Sequence, residues 1–303
     1  MEQISFLAYL FLFKGDFMQN FNYKIEYAKE QDYENILNLI HKCFEKENGF
    51  FQKLVPVLYK EGKNAYKNHI IVKDNDMIIA TIAIKEDTIL IDDKSYKFLT
   101  LGSLGVDHNY RNQGIMGALF EFILTNYKDR VDFFVLSGLF ERYKRFGFYP
   151  STVLKQAVYN PSNSVKYIIE PFKEEDIEFA YNLYNKKNYK VVRETFFDSL
   201  NEWTFMPLMI RDNKKSLGYM IYNGVTSLVE EIVLTDYSIV NDVVSSFASM
   251  INNKVGLKIT ISNKELHSFI NKDIVIEEYF EKTLYKIENE NIKEIYIPKS
   301  DLI

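Results

Sequence analysis

The pattern of hydrophobic and polar positions predicts a chain in which strands alternate with helices. Residues 23–28 are predicted as a strand, and segment 31–45 places apolar side chains at helical spacing behind Asp32. Two apolar runs between residues 69 and 84 surround an Asp-Asn-Asp turn, which predicts a β-hairpin. This mixture of elements indicates an α/β fold, which some schemes class as α+β.

The second half of the chain repeats this order of predicted elements. A strand and a helix follow residue 167, and a hairpin surrounds a polar turn between residues 208 and 222. A strand at 228–235, a helix at 238–252 and a strand at 257–262 complete the parallel. A repeat on this scale predicts tandem copies of one fold.

The repeat also sets the predicted domain boundaries. Residues 18–158 are the first domain, residues 159–166 a linker with Asn, Pro and Ser, and residues 167–303 the second domain. Residues 1–17 are an apolar N-terminal extension, whose hydrophobic run of about ten residues is too short to span a bilayer. This extension lacks the basic segment and the cleavage site of a signal peptide. A small hydrophobic helix docked on the fold is the alternative.

The stretch from Leu104 to Leu119 carries the most specific chemistry. A strand leads into a polar turn with Arg111 and Gln113, and Gly114 opens an amphipathic helix. Backbone N–H groups in the first turn of a helix have no partner within it and lie at the positive end of its dipole. A glycine there lets a phosphate approach, so this stretch predicts a pyrophosphate site. Its spacing matches neither a P-loop nor a dinucleotide-binding fingerprint.

Arg-x-x-Gly-x-x-Gly after a strand resembles motif A of the GCN5-related N-acetyltransferases (GNAT), which hold the pyrophosphate of acetyl-CoA. Met116 stands where the family usually has a second small residue, and Gly117 follows one place later. The resemblance implies acetyl-CoA as cosubstrate and no metal, while an ordinary helix start behind a basic turn is the alternative. The residues that it assigns to the cofactor are Arg111, Asn112, Gln113, Gly114, Ile115, Met116 and Gly117.

A second stretch resembles motif B of the same family. A strand ending at Ser137 is followed by Gly138 and by a short helical segment that ends in Tyr143-Lys-Arg-Phe-Gly-Phe148. Gly147 is expected to end this segment in a left-handed conformation. The resemblance makes Tyr143 the general acid that protonates the departing CoA thiolate, a role that suits a phenol with a pKa of about 10. A packing role is the alternative for one of 22 tyrosines.

The strand before motif A is interrupted by Gly102 and Gly105. Glycine inside a strand marks a bulge or a close packing contact. We expect the bulge at Gly105, and both readings stay open for Gly102. In the family this strand splays from the strand that carries motif B, and pantetheine enters the opening. The resemblance assigns this opening to Leu104, Val106, Ser137 and Gly138.

Together the motifs indicate an acetyl-CoA-dependent N-acetyltransferase that acts on a primary amine of a small molecule or peptide. By resemblance, the amine attacks directly, the N–H group of Val106 polarises the thioester carbonyl, and Tyr143 protonates the sulfur. The base stays open between Glu45 or Glu47, which follow the first helix, and a water relay. A solvated charge run is the alternative for both glutamates. His108, beside the pyrophosphate turn, is interpreted as a surface residue. A regulatory module that binds acyl-CoA without turnover is the alternative function.

The repeat resembles the enhanced-intracellular-survival type of GNAT protein, in which a second, degenerate domain follows the catalytic one. Where motif A should recur, Thr235–Val243 has neither the arginine nor the glycine. The expected architecture is two tandem GNAT-like domains, each a mixed, mostly antiparallel sheet flanked by helices. That type continues into a sterol-carrier-like domain whose terminal carboxylate lies in the active site. Because this chain ends at Ile303, the resemblance does not carry that domain or that base over.

Composition narrows the partners and the compartment. A formal net charge of −5 argues against a nucleic-acid surface, since phosphate binding needs clustered positive charge. The single cysteine, Cys43, excludes an internal disulfide and fits a reducing, cytoplasmic location. Cys43 falls on the apolar face of the first predicted helix, which favours a core thiol over a nucleophile. No membrane span is expected, and a homo-oligomer stays open.

Overall fold

The structure is a computed structural model of the 303-residue chain. It describes residues 21–59, 64–150, 154–194, 196, 204–279, 282–292, 294–298 and 301–302. The predicted N-terminal extension, residues 1–17, lies outside the described residues.

The first half contains the helix and the hairpin that the sequence predicts. Its strands are β1 (Lys24–Tyr27), β2 (His69–Asp74), β3 (Met77–Ile91), β4 (Lys94–Val106), β5 (Phe133–Ser137) and β6 (Tyr149–Pro150). Its α-helices are α1 (Tyr33–Phe44), α2 (Phe50–Leu54), α3 (Pro56–Tyr59), α4 (Ile115–Tyr127) and α5 (Phe140–Tyr143).

The second half also follows the predicted order. Its strands are β7 (Leu154–Tyr159), β8 (Ile168–Pro171), β9 (Tyr189–Val191), β10 (Phe205–Asp212), β11 (Lys215–Asn223), β12 (Leu228–Leu234), β13 (Val255–Ile259), β14 (Val275–Tyr279) and β15 (Thr283–Ile287). Its α-helices are α6 (Ile177–Asn185), α7 (Val240–Met250) and α8 (Lys264–Phe269).

The strands form two sheets, and the predicted α/β class is confirmed. One sheet has the order β1-β2-β3-β4-β5-β15-β6, with β9 paired to β3. The other has the order β14-β7-β13-β12-β11-β10-β8. In the second sheet β12 and β13 are parallel, whereas β10 and β11 as well as β7 and β13 are antiparallel.

Two strands depart from the predicted linear boundaries. β7 precedes the predicted linker but pairs with β13 and β14, and β15 lies near the end of the chain but pairs with β6. Contacts between residues divide the chain mainly into residues 1–86 with 99–134, and residues 87–98 with 135–302. Hydrophobic periodicity identifies a strand but not its partner, so the sequence could not place these two strands. The boundaries themselves remain a prediction.

Each half contains a similar set of ionic contacts near its first strand and first helix. In the first half, Lys73 Nζ lies 3.0 Å from Glu26 Oε1 and 2.8 Å from Asp32 Oδ1. The backbone N–H group of Lys29 also donates to Asp32 Oδ2, at 2.8 Å. These contacts tie the first two strands of the sheet to the beginning of α1.

The second half builds the same contacts from equivalent positions. Arg211 of β10 pairs with Glu170 of β8 and with Asp176, which precedes α6. The backbone N–H group of Lys173 donates to Asp176 Oδ2, at 3.0 Å. Recurrence of these side chains at matching positions shows that the halves repeat one local structure.

Each copy buries the apolar face of its helices against its strands. Ile36 and Ile40 of α1 share a buried cluster with Ile71 of β2. In the second half, Val244 of α7 shares one with Leu257 of β13. Burial of such stripes is the main stabilising contribution to a fold of this kind. No helix within the described ranges is long and apolar enough to cross a membrane.

Candidate functional site

The N-terminus of α4 has the geometry of an anion site. Gly114 precedes the helix with φ 79°, and Asn112 also has a left-handed backbone, with φ 65°. The Ala118 N–H group donates to the Gly114 carbonyl at 3.0 Å. The N–H groups of Ile115, Met116 and Gly117 therefore have no partner inside the helix, and they lie at the positive end of its dipole. Such a turn favours a phosphate group.

Side chains of this turn are tied to the neighbouring backbone. Arg111 is exposed, and its Nε donates to the Val106 carbonyl at 3.2 Å. Gln113 Nε2 donates to the Asn109 carbonyl at 3.3 Å, and its Oε1 accepts from the Tyr23 hydroxyl at 2.7 Å. These bonds hold the turn in shape while the guanidinium remains accessible to solvent.

Asp107 joins β4 to the turn. Its Oδ1 accepts from the Asn109 N–H group at 3.0 Å, which caps a short 3₁₀ helix at His108–Tyr110. Lys42 of α1 lies 2.8 Å from Asp107 Oδ2. Hydrogen bonds from Lys42 and from the backbone of Asn109 hold the pKa of Asp107 below its usual value.

β4 has an unusual backbone conformation at Ser103, two residues before Gly105. Ser103 has φ 48°, a left-handed conformation that is uncommon for a residue with a side chain. Gly105 packs closely against α1, because a Cβ there would lie 3.3 Å from Cys43 Sγ. The expected bulge at Gly105 stays a prediction. Leu104 and Val106, the two expected pantetheine contacts, flank this glycine and are half-buried.

Cys43 is the free thiol that packs against Gly105. Burial raises its pKa, although the Arg111 guanidinium opposes this rise. A raised pKa keeps the sulfur in its thiol form, which is a poor nucleophile. These contacts favour the expected packing role.

The end of β5 and the segment after it form the motif B region. Ser137 is exposed at the end of the strand, and the Gly138 N–H group donates to the Lys282 carbonyl at 2.8 Å. Gly147 ends a 3₁₀ turn with φ 84°, which confirms the expected left-handed conformation. Phe148 is 0% exposed and meets the ring of Tyr143 edge-on, with 6.5 Å between centroids.

Tyr143 is half-buried beside this strand end. Burial raises the pKa of its hydroxyl, an effect that the charge of Arg142 opposes. A raised pKa keeps the phenol protonated at neutral pH. Protonation is the state that a general acid requires.

The proposed acceptor-side acids lie in solvent. Glu45 ends α1 in a left-handed conformation with φ 53°, and both Glu45 and Glu47 are exposed. His108 is exposed as well, with its Nδ1 3.5 Å from Asp107 Oδ1. Among the residues that the structure describes, no group of three or more His, Cys, Asp or Glu side chains could hold a metal ion.

A family model described as an acetyltransferase (GNAT) domain matches residues 24–151. Residues 24–151, less than half of the chain, are thus similar to this domain family. The match covers β1 to β6 and includes the turn before α4 and Tyr143.

Solved structures with this fold cover most of the chain. A probable N-acyltransferase from Enterococcus faecalis is 13% identical, with a TM-score of 0.63 over 89% of this chain and 73% of that chain. A GCN5-related N-acetyltransferase from Anabaena variabilis is 17% identical, with a TM-score of 0.62 over 88% and 73%. Eis1 from Mycobacterium abscessus is 13% identical, with a TM-score of 0.58 over 88% and 73%. At these identities the likeness concerns the fold, and it extends well beyond the GNAT domain.

One curated relative is similar over a shorter range. It is a putative glycylpeptide N-tetradecanoyltransferase from Melanoplus sanguinipes entomopoxvirus, 31% identical over 120 residues. The match covers 40% of this chain and 38% of the length of that protein.

The second copy lacks the turn that precedes α4 in the first copy. Asp236 caps a 3₁₀ helix by accepting from the Ser238 N–H group at 2.9 Å, as Asp107 does in the first copy. This 3₁₀ helix, Tyr237–Ile239, runs directly into α7 at Val240. In the first copy, residues 111–114 separate the corresponding 3₁₀ helix from α4. The second copy thus has no equivalent of the turn at residues 111–114.

In the second copy, side chains also occupy most of the space between strands β12 and β13 beyond the point where they pair. These strands pair at Leu228 with Gly256 and at Val229 with Leu257. Beyond that point Glu230 of β12 forms a buried ion pair with Lys258 of β13. A cavity of about 10 Å³ remains, large enough for one water molecule. Its lining is made of Lys187, Glu230, Glu231, Ile232, Thr260, Ser262, Asn263, Tyr296 and Pro298.

Sequence reasoning missed a buried ionic cluster beside this space. Arg193 donates from Nε to Asp301 Oδ1 at 2.8 Å and from Nη2 to Glu231 Oε2 at 3.0 Å. Its guanidinium lies over the ring of Tyr184, 3.9 Å from the centroid. Two adjacent glutamates within the otherwise apolar strand β12 were the available signal, because buried carboxylates require partners.

Proposed function

We propose that the chain transfers an acetyl group from acetyl-CoA to a primary amine. The observation that carries this proposal is the turn before α4, where left-handed Asn112 and Gly114 leave three backbone N–H groups pointing out of the helix end. A pyrophosphate is the ligand that such a turn accepts best. Arg111 supplies the positive charge, and the backbone from Asn112 to Gly117 surrounds the phosphates.

The GNAT domain supports acyl transfer by direct attack. The amine nitrogen forms a bond to the thioester carbonyl carbon, and the C–S bond breaks. In this proposal the Val106 N–H group polarises the carbonyl oxygen. Tyr143 gives its proton to the departing sulfur and recovers one from solvent. The acceptor nitrogen releases two protons to solvent, one when its ammonium becomes a neutral amine before attack and one as the amide forms.

In this proposal, the pantetheine arm of acetyl-CoA lies against the ends of strands β4 and β5. Leu104 and Val106 offer backbone groups to pantetheine from β4, and Ser137 lines the arm from the exposed end of β5. The N–H group of Gly138 already donates to Lys282, so any contact of Gly138 with pantetheine is made by other atoms. A single cysteine suits a reducing, cytoplasmic setting for this thiol chemistry.

The acceptor is a primary amine on a small molecule or peptide. The viral relative is named a putative glycylpeptide N-tetradecanoyltransferase, and this name describes the transfer of a longer acyl group to such an amine. Glu45 and Glu47 are exposed near the end of α1, so either carboxylate reaches solvent and can accept a proton through a water molecule.

A turnover assay tests the proposal. The full chain is incubated with acetyl-CoA or tetradecanoyl-CoA, a thiol reagent, and a panel of aminoglycosides, polyamines, lysine peptides and peptides with N-terminal glycine. Amine-dependent release of thiol from acetyl-CoA is the expected result. Binding of acetyl-CoA without release for every amine would favour a regulatory acyl-CoA sensor. Release from tetradecanoyl-CoA alone would correct the donor but keep the reaction.

A further inference from the structure

The ring of Tyr143 packs so closely against Gly138 that it leaves no room for a side chain at position 138. A Cβ added to Gly138 would lie 2.4 Å from Cε2 of Tyr143 and 3.2 Å from Cδ2 and Cζ of the same ring. Cβ atoms do not approach other atoms to 2.4 Å, so either the ring or the strand end would have to move. The tyrosine ring therefore rests on the bare backbone of Gly138.

The backbone of Gly138 gives no other reason for a glycine. Its φ lies outside the left-handed region that Gly114 and Gly147 occupy. Its N–H group donates to Lys282, a bond that any residue except proline could form. What a side chain at this position would change is the space that the ring of Tyr143 occupies.

The ring of Tyr143 also contacts a buried neighbour. Phe148 is fully buried and meets Tyr143 edge-on. α5 itself is a single turn of four residues, which is too short to hold a side chain by helical geometry alone. Packing on Gly138 and Phe148 therefore helps to set where the hydroxyl of Tyr143 points.

We propose that Gly138 is a positioning residue that seats the ring of Tyr143 and so aims its hydroxyl at the departing sulfur. The structural half of this inference concerns the packing, and the catalytic half rests on the proposed function. Misplacing a catalytic group by about 1 Å can lower a rate by about 10²-fold. Gly138→Ala is therefore expected to lower turnover about 10²-fold while leaving the dissociation constant of acetyl-CoA within about twofold.

The structural half is tested without activity. Tyrosines labelled with ¹³C at Cζ give one resonance each, and Tyr143→Phe assigns the resonance of residue 143. In Gly138→Ala this resonance should move, and the titration midpoint of the hydroxyl should fall towards the ordinary value of about 10, because the displaced ring gains solvent. An unchanged chemical shift of Tyr143 Cζ and an unchanged titration midpoint of its hydroxyl would contradict the packing of Tyr143 on Gly138. If Gly138→Ala does not fold, Gly138→Ala/Tyr143→Ala should fold, since the clash is gone, and failure of the double variant would equally overturn it.

The catalytic half is tested by a double-mutant cycle on turnover. Gly138→Ala should add almost nothing to the loss already caused by Tyr143→Phe, because the hydroxyl that it misplaces is absent. Independent, multiplying losses would overturn the positioning role. Gly224→Ala is the matched control, since its nearest neighbour is the flexible end of Met206 and it should leave turnover unchanged. If the wild-type chain turns over no amine but the Tyr143 resonance still moves in Gly138→Ala, the proposed function is wrong and the packing of Tyr143 on Gly138 is confirmed.

Discussion

The surroundings of Tyr143 and Arg111 suit these two side chains to different chemical roles. Tyr143 is half-buried between Gly138 and Phe148, and burial raises the pKa of its hydroxyl. Arg111 is exposed beside the N-terminus of α4 and is held by a bond to the Val106 carbonyl. The tyrosine is thus suited to give a proton and the arginine to attract an anion.

Tyr143→Phe should lower kcat by about 10²–10⁴-fold with little change in acetyl-CoA affinity. The ring and its packing are kept, and the lost hydroxyl acts when the C–S bond breaks. Since burial raises the pKa of Tyr143, the phenol stays protonated through neutral pH. We therefore expect no loss of kcat through this group until the pH exceeds about 10. Steady-state kinetics across pH check this, and full activity of the Phe variant would leave Tyr143 as a packing residue.

Arg111→Ala should weaken acetyl-CoA binding by about 1.5–3 kcal/mol, the contribution of a hydrogen bond to a charged group. This corresponds to roughly 10- to 150-fold in Kd, measured by calorimetry at physiological salt. Arg130→Ala is the matched control, because Arg130 is also exposed and pairs with Glu86 away from the turn. Equal dissociation constants for the two variants would place the phosphates elsewhere.

The turn between β4 and α4 is the element on which the proposed cofactor site depends. Its left-handed residues expose the N–H groups of the first helical turn, and Asp107 with Lys42 fixes its beginning. The second copy keeps the aspartate cap but lacks the turn, as Asp236 shows. A helix cap is thus a shared structural device, whereas the turn is particular to the first copy.

Gly114→Ala should reduce both stability and acetyl-CoA affinity. A left-handed conformation costs a residue with a Cβ roughly 1–2 kcal/mol, and a methyl group at this turn would hinder the approach of the proposed pyrophosphate. Gly49→Ala is the matched control, since Gly49 has φ 86° and nothing within 4 Å of an added Cβ. The control should lose a similar amount of stability in urea and keep its affinity. Unchanged affinity in Gly114→Ala would contradict a pyrophosphate at this helix end.

Elements with a strong local pattern could be predicted from the sequence, but special conformations could not. The hairpin at 69–84 and the helix at 31–45 follow from periodicity, and Gly147 follows from helix-ending chemistry. Ser103 adopts φ 48° without a sequence signal, because serine has no general preference for that region. The close approach of Gly105 to the sulfur of Cys43 could not be predicted either, because it is a contact between distant positions.

At the scale of the whole molecule, long-range pairing decides what local patterns cannot. β7 and β15 each join the sheet that sequence order does not suggest. Arg193 joins Glu231 and Asp301 from positions 38 and 108 residues away. Burial alone would raise the pKa of Glu231, but the charges of Arg193 and Lys187 outweigh it and the pKa is lowered.

Arg193→Met should destabilise the chain by about 3–5 kcal/mol, because two buried carboxylates lose their partner. Since the pKa of Glu231 is lowered in the folded state, the stabilising contribution of its charge is complete above the ordinary value of 4.5 and is lost as pH falls through the lowered value. Urea unfolding at pH 7 and pH 4 measures both effects. Lys254→Met, which removes an exposed pair with Glu277, should leave the free energy of unfolding nearly unchanged. Equal stability of the two variants would show that the cluster is not needed.

Transfer of a labelled acetyl group would show the proposed reaction itself. The full chain is incubated with acetyl-CoA labelled at the carbonyl carbon and with the best amine of the panel, and the amine is analysed by mass spectrometry and ¹³C NMR. We expect the label in an amide on the amine nitrogen, one free CoA for each amide formed, and a much slower reaction in Tyr143→Phe. No labelled amide with any amine of the panel, although acetyl-CoA binds, would contradict N-acetyl transfer.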